Sequence, residues 1–161
     1  MRIAGRAWVF GDDINTDLLY PASCFRLPPA ERRWQTLSAS RPGWAREVRA
    51  GDVLVAGANF GMGSSRPAAD NLKDLGIALV TADSINGLFF RNAINSGLPV
   101  LEAPGVSRSA LEGTLLEADL TEGRVRGAGW ELQGRPLPPF LSRILVDGGV
   151  LARLAKQGYI D

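Results

Sequence analysis

The sequence predicts an α/β domain with a central, mostly parallel sheet and flanking helices. The first sign is the run from 52 to 103, where the apolar stretches "DVLVAG", "IALVTA" and "LPVLEA" alternate with amphipathic ones. Short links between such segments argue for parallel strands with crossover helices. The second sign is the make-up of "IALVTA" (77–82), rich in β-branched and apolar residues and too short for a core helix. The third is a change of texture near residue 114. From there the chain alternates and carries glycine turns, as antiparallel hairpins do.

Taken in order, "RAWVF" (6–10) reads as the first strand, ended by the turn signal "GDD". "INTDLLYPA" reads as partly extended, broken by Pro21. Residues 23–50 hold Pro28, Pro29, Pro42, two tryptophans and several arginines, and read as irregular or mixed. A loop of that length is more often functional than idle. Within it, "WAREVRAGD" (44–52) has room for a short helix. "DVLVAG" (52–57) is the second strand. "PAADNLKDLG" (67–76) is a helix, with Pro67 at its first position and Gly76 just past its end. "IALVTA" (77–82) is the next strand. "SINGLFFRNAIN" (84–95) is the next helix, capped by Ser84, with Ile85, Leu88 and Phe89 on one face and Gly97 as its stop. "LPVLEA" (98–103) is again a strand. "TLLEADLTEGRVRGAGWELQG" (114–134) supplies the hairpins, and "PPFLSRILVDGGVLARLAKQG" (138–158) a closing helix interrupted at Gly148–Gly149.

A chain of 161 residues, 45% apolar and 22% charged, suggests one ordinary globular domain over 1–161. A net charge of +1 gives no general attraction to nucleic acid or to an anionic membrane. No apolar run approaches the roughly 18 residues of a spanning helix, and the start lacks the apolar segment of a secretion signal. The single cysteine, Cys24, can form no internal disulfide and cannot alone hold a zinc ion or an iron–sulfur cluster. A reducing cytoplasm is the expected location. There is no histidine, so proton chemistry must use other side chains or groups lent by a partner.

The densest motif is "NFGMGSSRPA" (59–68), between a predicted strand and a predicted helix. In an α/β domain that is the usual place for a ligand loop. Gly57, Gly61 and Gly63 let backbone approach a ligand. The following helix points free N–H groups at the loop, and Arg66 adds a fork that matches a carboxylate. The stretch reads as an anion site with two hydroxyls, Ser64 and Ser65. It also reads as a glycine-rich turn with a serine cap and a surface arginine. It is not a Walker-type phosphate loop, because no Gly-Lys-Ser/Thr follows. "GDDINTD" (11–17) by itself reads as a turn with Asx hydrogen bonds. "FFRNAINSGLP" (89–99), with Arg91, Asn92 and Asn95, reads as a packed helix with a polar rim. Arg26, between Phe25 and Leu27, reads as a solvated loop residue.

Together, "GDDINTD", "VLVAGANFGMGSSR", "FFRNAINSGLPVLE" and "PLPPFLSRILVDGGVLARL" occur in the order found in the small subunits of 3-isopropylmalate dehydratases. Homoaconitase and other aconitase-like small subunits look the same. The resemblance covers nearly the whole chain and implies the swivelling β/β/α domain of the aconitase C-terminal kind. It implies a hydro-lyase acting on a small hydroxy-di- or tricarboxylate, with 3-isopropylmalate and leucine biosynthesis first. Homoaconitate, dimethylmalate or citramalate are the alternatives, and a silent scaffold of the same fold is a reading of another class. It implies a large catalytic subunit as partner, in a heterodimer or heterotetramer. That partner carries the [4Fe–4S] cluster, whose iron takes the substrate hydroxyl as a Lewis acid. No cofactor and no metal belong to this chain.

By the same resemblance Ser64 is the base, Ser65 and Arg66 hold substrate carboxylate, and Asp17 supports the site. Thr16, Gly63 and Asn59 are supporting residues beside it. Arg26 falls in the family's specificity loop, where a cation can pair with an extra carboxylate. Three positions depart from the family pattern. Pro67–Ala68 replaces a usual Glu-His, "CFRL" (24–27) replaces a usual Tyr-Leu-x-Thr, and Met62 stands where cysteine is common.

Overall fold

Two apolar runs are buried at every position, Val53–Ala56 and Leu79–Ala82. Strands covered on both faces belong inside a parallel sheet. The computed structural model, which describes all residues from Met1 to Asp161, places them there as β2 and β3. β1 (Arg2–Val9) pairs parallel with β2, and β4 (Val100–Glu102) pairs parallel with β3. On the other side of β1 lies an antiparallel meander of β5 (Leu115–Asp119), β6 (Arg124–Gly127) and β7 (Trp130–Gln133). The seven strands run in the order β4-β3-β2-β1-β5-β6-β7. The α/β class and the hairpins therefore stand as expected. The parallel strands form one half of the sheet, and β1 joins it to the antiparallel half.

Between β1 and β2 the chain forms short helical pieces. These are α1 (Thr16–Leu19), a 3-10 turn at Ala22–Arg26, α2 (Pro29–Arg32), a second 3-10 turn at Arg33–Gln35, and α3 (Trp44–Glu47). The β2–β3 crossover is α4 (Ala68–Leu75), and the β3–β4 crossover is α5 (Gly87–Ser96). α4 packs on α5 and on α1. A single turn, α6 (Val106–Ser109), follows β4. The closing segment forms α7 (Pro139–Val146) and α8 (Val150–Lys156), both against α5. They are split at Gly148 and Gly149, whose φ values of +92° and +112° no helix accommodates.

Several local expectations change. The first strand starts at Arg2, not residue 6, because its exposed half pairs with β5. "INTDLLYPA" is helical at its centre because the Asn15 side chain caps α1, accepting from Leu18 N–H at 2.9 Å. Arg26 lies on a 3-10 turn rather than an open loop. Ser84 does not cap α5; Asn86 does, accepting from Leu88 N–H at 3.0 Å. Ile85 stands outside that helix, in a bridge to Phe60.

One hydrophobic cluster of 37 buried residues spans the sheet and the inner faces of the helices. Phe60 and Phe89 lie edge to face in it, with centroids 5.0 Å apart, which fixes the loop after β2 against α5. No helix is long and apolar enough to cross a membrane.

Candidate functional site

The C-terminal ends of β1, β2 and β3 converge on Asn59. Gly57 N–H donates to Gly11 carbonyl at 3.0 Å, and Ala58 N–H to the Asp12 carboxylate at 2.7 Å. Asn59 N–H donates to Ser84 Oγ at 2.8 Å, and its side-chain amide to Asp13 at 3.0 Å. Asn59 and Asp13 both have φ near +58°, a conformation that these two residue types tolerate better than most. Three strand ends are thus tied at one point. Gly57 must be glycine here, because a Cβ would collide with Asp12.

Past this knot the loop is gripped by α1. Gly61 N–H donates to Ile14 carbonyl at 2.7 Å, and Phe89 fills the space that a Cβ on Gly61 would need. Thr16 then holds both sides of Gly63. Its N–H donates to Met62 carbonyl at 2.9 Å, and its hydroxyl to Ser64 carbonyl at 2.8 Å. Gly63 has φ +110°, and a Cβ on it would lie 3.0 Å from the Thr16 hydroxyl. Thr16 is buried, while Ser64 and Ser65 are exposed. The backbone N–H groups of Gly63, Ser64, Ser65 and Arg66 donate to no acceptor in the chain. Four consecutive backbone donors, Ser64 among them, are therefore unengaged on an exposed loop.

The neighbours of the two serines come from distant segments. Asn92, on α5, donates from Nδ2 to Ser65 Oγ at 3.3 Å. Arg66 donates to Tyr20 carbonyl at 2.8 Å and pairs with Asp17 at 3.0 Å. Its guanidinium also lies 5.4 Å from the centre of the Phe25 ring. Only part of the five-donor fork is engaged this way. Thr16, Asp17, Asn59, Gly63, Ser64, Ser65 and Arg66 are thus brought together.

Arg26 is not brought to this group. It is exposed, makes no hydrogen bond or ion pair, and lines a shallow cleft of about 550 Å³ with Ser23, Leu27 and Gln35. Phe25 is the residue of that turn that reaches Arg66. Asn92, Ser84, Tyr20, Phe25 and Asp13 are the site neighbours to which the sequence reading gave no site role. Asn92 had one signal, the polar rim of "FFRNAIN", but nothing in its spacing points to Ser65.

Cys24 is fully buried. Burial pushes its thiol up from the ordinary range, against the opposing hydrogen bond from Asn71. No group of three or more Cys, His, Asp or Glu side chains could hold a metal ion. An iron–sulfur cluster needs several thiolates. One buried thiol does not fit it, and this chain's own residues build no cluster site.

Residues 40–105 match the Aconitase C-terminal domain. The 3-isopropylmalate dehydratase small subunit 1 of Methanopyrus kandleri is 45% identical, over 97% of this chain and 94% of its own length. The isopropylmalate/citramalate isomerase small subunit of Methanocaldococcus jannaschii is 40% identical, over 96% and 95%. A crystal structure of 3-isopropylmalate dehydratase from the same organism superposes with a TM-score of 0.89 at 34% identity, covering 98% of this chain and 96% of that one. Shared length, sequence and fold place this chain in the family of 3-isopropylmalate dehydratase small subunits, which carry the aconitase C-terminal fold.

Proposed function

We propose that this chain is the small subunit of a 3-isopropylmalate dehydratase. The enzyme would interconvert 2- and 3-isopropylmalate by loss and re-addition of water, with the whole chain acting as one swivelling domain on a large subunit. The observation that carries the reading is the run Gly63–Arg66, four consecutive unengaged backbone N–H groups with Ser64 within it. A serine hydroxyl is a weak base unless its alkoxide is stabilised. Fixed N–H dipoles and the Arg66 charge provide that stabilisation without reorganising during the reaction. In this reading Ser64 Oγ takes the proton from the carbon next to a carboxylate. The Ser65 hydroxyl and the free part of the Arg66 fork hold that carboxylate. Asp17 and Tyr20 hold Arg66 in turn. The [4Fe–4S] cluster that the family's reaction uses is assigned to the large subunit. Arg26 would meet the variable part of the substrate only when the two subunits close. A cytoplasmic location keeps the lone thiol of Cys24 reduced.

Citramalate is a second candidate substrate, supported by the isomerase name of the Methanocaldococcus relative. The test is turnover of both acids, under anaerobic conditions, by this chain assembled with a cognate large subunit. Ser64→Ala is expected to lower kcat by roughly a hundred-fold or more while KM changes little. Folding and co-purification should be unaffected, because only an exposed hydroxyl is removed. Near-normal kcat would overturn the serine-base assignment. Absence of turnover by the wild-type complex with either acid would favour the silent scaffold.

A further inference from the structure

We infer that Asn92 is a positioning residue that makes Ser65 a hydrogen-bond donor toward the substrate carboxylate. The inference rests on the reading of Ser65 as a carboxylate-binding hydroxyl. It goes beyond that reading by assigning the group that sets the direction of the hydroxyl proton.

A serine hydroxyl has one proton to give and two lone pairs. To bind a carboxylate it must give that proton outward. Any acceptor inside the protein would compete for it. The side-chain group that reaches Ser65 Oγ is instead a donor, the Asn92 amide nitrogen at 3.3 Å. With one lone pair occupied, the Ser65 proton cannot point toward α5 and is left for an acceptor outside. No other residue of the chain hydrogen-bonds the Ser65 hydroxyl. Because Ser65 accepts from Asn92 while it donates to an anion, the two bonds also polarise each other favourably.

The placement of Asn92 is not accidental to packing. On α5 its neighbours Ala93 and Ile94 are buried in the core. Phe89 is buried as well, edge-on to Phe60. These apolar anchors fix the rotation of α5 against the loop. Asn92 lies at the half-exposed rim of the same helix, and Arg91 and Asn95 are exposed. Of the polar residues in "FFRNAIN", Asn92 alone touches the loop. A carboxylate at position 92 would reverse the arrangement. It could only accept, so it would draw the Ser65 proton inward and repel the incoming anion.

The experiment compares Asn92→Ala, Asn92→Asp, Ser65→Ala and the double variant Ser65→Ala/Asn92→Ala in the assembled complex, with 3-isopropylmalate as substrate. Ser65→Ala should raise KM. Asn92→Ala should raise KM roughly five-fold, the scale of one neutral hydrogen bond, with kcat near normal. In the Ser65→Ala background, Asn92→Ala should add nothing further, because its partner is already gone. Asn92→Asp should raise KM more than Asn92→Ala. The excess over Asn92→Ala is the signature of an acceptor that draws the Ser65 proton inward and repels the substrate carboxylate. A residue that only supports the helix would show neither the silent double variant nor a KM loss for the near-isosteric Asn92→Asp that exceeds the loss for Asn92→Ala. If Ser65→Ala leaves KM unchanged, both the reading of Ser65 and this inference fail. If Ser65→Ala raises KM but Asn92→Ala does not, or adds its full loss in the Ser65→Ala background, the inference alone fails. Asn92→Asp is nearly isosteric, so it decides the matter even if Asn92→Ala folds poorly.

Discussion

Thr16 joins fold and site through two hydrogen bonds. Its N–H is a free donor of the first turn of α1, and Met62 carbonyl accepts it; its hydroxyl reaches Ser64 carbonyl on the far side of Gly63. Thr16→Val keeps the volume and the buried methyl but removes the second bond. The expected loss of stability is about 1 kcal/mol, measured by urea unfolding of the chain. The expected loss of kcat in the complex is larger, roughly ten-fold or more, because a small misplacement of a reacting group is costly. Thr16→Ser should restore most of the activity. Lost stability with normal kcat would reduce the hydroxyl to a fastener of the fold. At this scale the sequence carried much of the site. The Gly-Ser-Ser-Arg run is local, and its glycines announce the tight backbone. Its supports were illegible because they come from afar. Arg66 and Tyr20 are 46 positions apart, and Asn92 and Ser65 are 27 apart.

Whole elements were legible where their signals were local and repeated. β2, α4, β3, α5 and β4 each showed an apolar run or a face closed by glycine. The helical pieces between residues 16 and 35 did not, because each is only one turn or so long, whereas α3 falls at the start of "WAREVRAGD", where a short helix was expected. A single turn has no periodicity to read, and packing rather than propensity decides it. The start of α5 shows how near misses arise. Ser84 and Asn86 are both good caps by residue type, and the strand-end knot settles between them. Ser84 is used by Asn59 N–H, so the helix begins two residues later under Asn86. The two residues should therefore fail differently. Asn86→Ala should cost about 1 kcal/mol in urea unfolding, as the loss of a cap does. Ser84→Ala should cost less stability yet lower kcat of the complex, because Asn59 loses the bond that aims the loop. Equal stability losses with unchanged kcat for Ser84→Ala would separate the knot from the site.

At the scale of the molecule, β1 is the seam, with parallel strands on one side and antiparallel strands on the other. Asp52 secures that seam from the start of β2. It is buried and accepts from Arg6 at 2.7 and 3.3 Å, from Trp8 Nε1 at 2.8 Å and from Arg49 N–H at 2.9 Å. Burial alone pushes its carboxyl up. The hydrogen bonds from Arg6, Arg49 and Trp8, with the Arg6 charge, outweigh burial and hold the carboxyl below the ordinary range. A carboxyl depressed in the folded state binds its proton more readily when unfolded. Its contribution is therefore complete above the ordinary aspartate value, near pH 4, and is lost as pH falls below that toward the folded-state value. Glu112, beside Arg41, is shifted the same way. Thermal unfolding of the chain should thus change little from pH 7 to pH 5 on this account and fall steeply below pH 4. Asp52→Asn should lower stability at pH 7 by about 2 kcal/mol. That is less than for a fully enclosed ion pair, because Arg6 keeps about a third of its side chain exposed. Below pH 4 the variant should lose less than the wild type, so the two curves converge. Parallel curves would show that the acid sensitivity lies elsewhere, with the Arg41–Glu112 pair as the next carboxylate to replace.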